Sequence, residues 1–171
     1  MGPSEHLTSL LRRLSAGSID WSRALNIAKA MPRAWQTDEW RRTRNSRIQE
    51  MGGLCGVCCA TQGLVLQHTW HPRFFYPLLE LVADEVLHEY KQKYPPPATE
   101  LLTQRDAYYA RRAHRDQMLH DWRDRIFGEA TRRSLLESLR YLEMRPEDTC
   151  IRCKACAYNE DATAGLTHAH R

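Results

Sequence analysis

Two cysteine pairs carry the clearest chemistry in this chain. Cys55-Gly-Val-Cys58 and Cys153-Lys-Ala-Cys156 each place two thiols on one tight turn. Tetrahedral zinc takes four such ligands, so the two pairs together read as one structural four-thiolate site. Cys150-Ile-Arg-Cys153 offers an alternative C-x2-C pair in the same stretch. Repeated spacing of this kind also suits an iron–sulfur cluster, although the proline expected after a ferredoxin-like run is absent.

Two other groups could do chemistry. His68 closes the apolar, β-prone run Leu64-Val65-Leu66-Gln67, where a side chain can emerge from a strand. It is a candidate proton acceptor; a structural histidine is the alternative. Arg41, Arg44 and Arg47 recur at helical spacing after a Thr37 cap. Such a stripe can track phosphates. The competing reading is a solvated face whose arginines pair with Asp38, Glu39 and Glu50.

These residues must be held by mostly helical elements. Leu7, Leu10, Leu11 and Leu14 predict a first helix with Ser4 as its cap, broken at Gly17. A second helix is expected over residues 20–30, with Trp21, Leu25 and Ala28 on one face, and Pro32 ends it. The arginine helix follows and stops at Gly52-Gly53. After the cysteine knuckle a small β-hairpin arm leads to His68. Residues 77–94 carry a buried stripe (Leu78, Leu81, Val82, Val86, Tyr90) that stops at Pro95-Pro96-Pro97. Thr99 is expected to cap a long helix containing Leu101, Leu102, Met118, Trp122 and Ile126, breaking near Gly128. A last insertion helix spans 131–144, before Pro146. The arginines from 111 to 133, interleaved with Asp106, Asp116, Asp121, Asp124 and Glu129, suggest intrahelical ion pairs.

The predicted organisation is an N-terminal helical segment (1–50), a zinc-bound module made of 51–72 plus 149–171, and a helical insertion (73–148). The fold class is mainly α with a small β-hairpin. At 171 residues the chain is long enough to bury a core. With 27% charged residues and no long apolar run, no membrane span is expected. No secretory h-region is evident in the first twenty residues, so a cytoplasmic location is the expectation and the cysteines favour metal over disulfides. The net charge of +4, carried mostly by arginine, suits phosphate contact without requiring it.

With the arginine-bearing helix, the knuckle Cys55-x2-Cys58, the strand ending in His68 and the closing Cys153-x2-Cys156, the chain resembles the treble-clef zinc fingers of the HNH-like nuclease superfamily. The resemblance covers about a third of the residues and excludes the helical insertion. A treble-clef site draws its last two ligands from the first turn of a C-terminal helix. This favours Cys153 and Cys156, because residues 157–164 make the better helix start, with Glu160 and Asp161 near its beginning. Cys59 and Cys150 are then spare.

The resemblance implies that His68 is the general base that activates water, and that a divalent catalytic metal, Mg or Mn, is bound separately from the zinc. Its ligands would be the residue before His68 and one just after the last cysteine. Gln67 and Ala157 stand at those positions. An amide is a poor ligand for a hard cation and alanine is none. The expected function is therefore a zinc-stapled nucleic-acid-binding protein with endonuclease activity as an extension. The alternative is a non-catalytic protein-interaction module that uses the insertion as its partner surface.

Overall fold

The computed structural model describes residues 2–32 and 36–163, with side chains through residue 159. The expected helix start at 157–164 thus ends at the edge of the described residues, and the acidic side chains of Glu160 and Asp161 lie outside them, as does the tail of the 149–171 segment. Among the described residues there are seven α-helices and one two-stranded sheet: α1 (Pro3–Ser15), α2 (Trp21–Ala30), α3 (Asp38–Glu50), β1 (Leu64–His68), α4 (Phe75–Lys93), α5 (Gln104–Asp121), α6 (Arg123–Glu143), β2 (Thr149–Cys153) and α7 (Lys154–Thr163). The mainly helical class expected from the sequence holds. None of the described helices is long and apolar enough to cross a membrane.

The chain forms two compact units. The first contains residues 1–8, 31–72 and 137–171, and the second residues 9–30 and 73–136. Residues 1–50 are thus shared between the two, and α1 and α6 each contribute to both.

Local chemistry explains several helix boundaries. Thr37 caps α3 by accepting from the Trp40 N–H at 3.2 Å, as its spacing predicts. Met51 closes α3, and Gly52 and Gly53 follow at φ 94° and 63°, a left-handed region that glycine enters without a Cβ penalty. α1 starts at Pro3 rather than after Ser4, so Ser4 lies inside the first turn and its hydroxyl donates to the Glu39 carboxylate.

Two expectations for the insertion are corrected. The helix expected from Thr99 begins at Gln104, because Thr103 is the residue that accepts from the Asp106 N–H; Leu101 is left fully exposed. The break expected near Gly128 falls at Trp122 instead, and α6 runs unbroken through Gly128 to Glu143. Trp122 adopts φ −110° and ψ 19°, yet its N–H still donates to the Met118 carbonyl and its own carbonyl accepts from Ile126. Its ring packs edge-on against Tyr90 at 5.2 Å. Tertiary packing of a large aromatic thus moves the kink, whereas glycine only lowers helix propensity.

In the second unit Val82, Ala83, Tyr90, Met118, Ile126 and Ala130 form the buried core. Its arginines pair both between helices and within them. Arg115 of α5 reaches Glu80 and Asp84 of α4, and from α6 Arg125 reaches Glu89 and Arg133 reaches Glu85. Intrahelical pairs of the expected kind are also present, from Arg132 and Arg133 to Glu129 and from Arg112 to Asp116. The acids of α4 add to these because they face the arginines across the helix packing, a relation that spacing along one helix does not reveal.

In the first unit β1 and β2 pair antiparallel in the register Leu64↔Cys153, Leu66↔Ile151, His68↔Thr149. The strand expected to pair within a local arm after the knuckle takes its partner from residues 149–153 instead. Leu66 and Ile151 lie opposite each other and join Ile48 and Met144 in a second core, with Trp40, Met51 and Leu64 packed against it. The arginine helix is thereby seated on the strand that leaves the knuckle.

Candidate metal centre

The register positions the thiols. Cys153 ends β2 opposite Leu64, and the first turn of α7 then carries Cys156, whose N–H points at the Cys153 Sγ at 3.5 Å. On the other side the knuckle is folded by its own backbone. Cys59 N–H donates to the Cys55 carbonyl and Cys55 N–H to the Ala60 carbonyl, both at 2.9 Å. Two further bonds tie it to the C-terminal segment, from Gly56 N–H to the Ile151 carbonyl at 3.0 Å and from Lys154 N–H to the Gly63 carbonyl at 2.9 Å.

The sulfurs of Cys55, Cys58, Cys153 and Cys156 consequently lie within 4.8 Å of one another, an arrangement that could hold a metal ion. Those of Cys58 and Cys153 are 3.6 Å apart. Sulfurs bound to one tetrahedral zinc at about 2.3 Å stand roughly 3.8 Å from each other, so the donor set and its span are compatible with a structural zinc. Cys150 faces Gln67 across the strand pair and is no member of the cluster, and neither is Cys59.

Two of the four thiols, Cys55 and Cys153, are shifted toward ionisation and two, Cys58 and Cys156, away from it. The Cys55 thiol is lowered to about 6, first by the hydrogen bond from the Cys58 backbone, and Cys153 is also lowered, first by the N–H of Cys156. Cys156 is pushed up to about 12, chiefly by its bond with the Cys153 side chain. Once one thiolate forms it accepts hydrogen bonds from its neighbours and makes their ionisation harder. A cation among the four sulfurs removes that conflict by favouring all four thiolates.

Cys59 occupies the turn after Cys58 at φ 58°, a left-handed conformation unusual for a residue with a Cβ. Its side chain is exposed.

His68 is placed at the end of β1 and is half-buried. Its Nε2–H donates to the Tyr141 carbonyl at 2.8 Å, and its ring stacks on the Tyr141 ring at 3.7 Å with an interplanar angle of 18°. Burial holds its pKa below the ordinary histidine value, partly opposed by the bond to the Tyr141 carbonyl. Tyr141 was not a site residue by sequence; its only signal there is an aromatic near the end of a helix.

Gln67, the neighbour of His68, alternates to the other face of the strand. Ala157 is buried. Neither residue offers a charged oxygen beside His68.

On α3, Arg41 pairs with Asp38 at 2.9 Å and Arg47 with Glu50 at 2.6 Å. Arg44 donates to the Asn45 side chain at 3.0 Å and has no carboxylate partner among the described residues. The three arginines share the helix, and among the described residues Arg44 is the one of the three without an acid partner.

Comparison with protein-family models, with curated proteins and with solved structures finds no match for this chain.

Proposed function

We propose that this chain is a zinc-stapled module of the HNH-like, treble-clef kind, and that it binds nucleic acid through α3 and the surface beside His68. The observation that carries the reading is the seating of α3 against β1, the strand that leaves the first cysteine pair. A basic helix thereby packs on the strand pair whose end, at Cys153, enters the four-cysteine cluster. Zinc at Cys55, Cys58, Cys153 and Cys156 would supply cross-linking, joining segments nearly a hundred residues apart in the chain. With all four positions filled by protein sulfur, such a site is closed and therefore structural rather than catalytic.

Catalysis is the extension of this reading. The His68 Nε2–H is engaged by Tyr141, which leaves Nδ1 as the basic nitrogen of the neutral ring, and the lowered pKa favours that neutral form near pH 7. The Gln67 amide on the opposite strand face and the buried methyl of Ala157 do not fit a hard Mg or Mn ion. No step of hydrolysis is assigned to such an ion.

The second reading, a protein-interaction module, draws on a different observation. Arg41 and Arg47 are already neutralised by acids on their own helix, and the second unit exposes Phe74, Tyr76, Tyr108 and Tyr109. Elemental analysis for zinc, followed by titration of labelled DNA and RNA at several salt concentrations, separates the two. The nucleic-acid reading requires affinity that falls with salt, with a slope that becomes shallower and an affinity that weakens in Arg44→Glu. Salt-independent or absent binding favours the protein-interaction module. A nuclease assay comparing wild type with His68→Ala tests the catalytic extension.

A further inference from the structure

The rings around His68 form a cluster that the metal centre does not explain. Trp40 of α3 lies 5.3 Å from the His68 ring at 27° and 5.4 Å from the Tyr141 ring at 25°, so the three planes are close to parallel. Trp70 meets Tyr141 edge-on at 6.1 Å, and His71 lies 5.9 Å from Tyr141. The Arg140 guanidinium sits over the Trp70 ring at 5.2 Å. These rings are not core in the sense of Leu66 or Met144. Trp40, His68, Trp70 and Tyr141 each keep part of their surface in contact with solvent, and His71 is exposed.

A cationic group adjoins the cluster. Arg44 follows Trp40 by four residues and therefore lies on the same face of α3, and its charge is unmatched by any described carboxylate. Partly exposed aromatic rings beside a guanidinium with no carboxylate partner are what an unpaired nucleotide needs, one for its base and the other for its phosphate. Paired bases inside a duplex have both faces covered by their neighbours and cannot use such planes without unstacking.

We propose that the cluster of Trp40, His68, Tyr141, Trp70 and His71 is a stacking platform for unpaired bases, so that the ligand class is single-stranded rather than duplex nucleic acid. The inference rests on the nucleic-acid reading above and narrows it. Stacking supplies the affinity for the strand, and Arg44 supplies the salt-dependent part. Sequence preference is weak, because every base has a π face.

The test uses the full chain loaded with zinc and two probes, oligo(dT) and a mixed-sequence duplex of equal length. Binding is followed by anisotropy of the labelled probe and by quenching of tryptophan fluorescence, to which Trp40 and Trp70 contribute. The expected result is oligo(dT) bound about tenfold or more tighter than duplex, with Tyr141→Leu and His71→Ala each weakening oligo(dT) by about five- to tenfold and leaving duplex affinity and salt slope unchanged. Tyr141→Leu retains the main-chain carbonyl that receives the His68 bond, and His71→Ala alters an exposed side chain, so at least one variant keeps the fold. Duplex bound as tightly as oligo(dT), or oligo(dT) affinity unmoved in both variants, overturns the platform and leaves nucleic-acid binding standing. Binding of neither probe overturns both.

Discussion

The Nε2–H of His68 donates to the main-chain oxygen of Tyr141, 73 residues further along the chain, at 2.8 Å. Tyr141 lies in the last turn of α6, where carbonyls have no intrahelical donor. His68 therefore caps a helix C-terminus while its ring stacks on the residue it caps. His68→Ala should lower stability by about 2 kcal/mol, from the lost hydrogen bond and the lost stacking together, whatever its effect on activity. Urea unfolding of the zinc-loaded protein measures this; unchanged stability would remove the structural role.

The same site predicts a pH dependence. Burial, the largest influence, holds the folded pKa of His68 below its ordinary 6.5. The unfolded chain therefore binds this proton more readily than the folded one. The contribution of neutral His68 is complete above the unfolded value and is lost as pH falls below about 6.5 through the folded value. The stability gap between wild type and His68→Ala should be constant from neutral to mildly alkaline pH and narrow on acidification. A gap that widens with acid would show that His68 is held charged.

Removing a metal ligand should disrupt the first unit. Four sulfurs from two distant segments leave an open joint if one is lost, and structural zinc contributes on the order of 10 kcal/mol to small modules that depend on it. Cys55→Ser and Cys153→Ser should each lose metal and the ordered near-UV signal, and a chelator should do the same to wild type. Full metal stoichiometry in both variants would show that the ligand set is wrong.

Cys59 provides an opposite case, a substitution that should stabilise. Its φ of 58° costs a residue with a Cβ about 1–2 kcal/mol, while glycine there loses part of that gain through unfolded-state entropy. Cys59→Gly should raise stability by about 0.5–1 kcal/mol with metal content unchanged. Loss of metal in this variant would make Cys59 a ligand.

Gly128 lies inside α6, and a Cβ built there meets nothing within 4 Å. Gly128→Ala should stabilise the second unit by about 0.5–1 kcal/mol through helix propensity alone. A lower midpoint in thermal unfolding would mean that the helix needs to bend at this position.

The elements that could be read from the sequence are those whose cause is local. The Thr37 cap acts within three residues, and the apolar stripe through Leu78, Val82 and Tyr90 follows helix periodicity. The two C-x2-C turns each fix a pair of thiols within four residues. Where a local rule competed with packing, packing prevailed, as at Trp122, which broke the helix although Gly128 is the weaker helix former.

By itself, then, the sequence determined a mainly helical chain, its two metal-competent turns, and a histidine at the end of a strand. Tertiary structure decided which C-terminal cysteines meet Cys55 and Cys58, since the register Leu64↔Cys153 brings Cys153 and α7 to the knuckle and turns Cys150 toward Gln67. It also decided that His68 caps α6, that Arg115, Arg125 and Arg133 pair across to α4, and that five aromatic rings gather at the end of β1. Each of these joins residues far apart in the chain. Spacing along one element governs which side chains share a face; strand register and helix packing govern what that face meets.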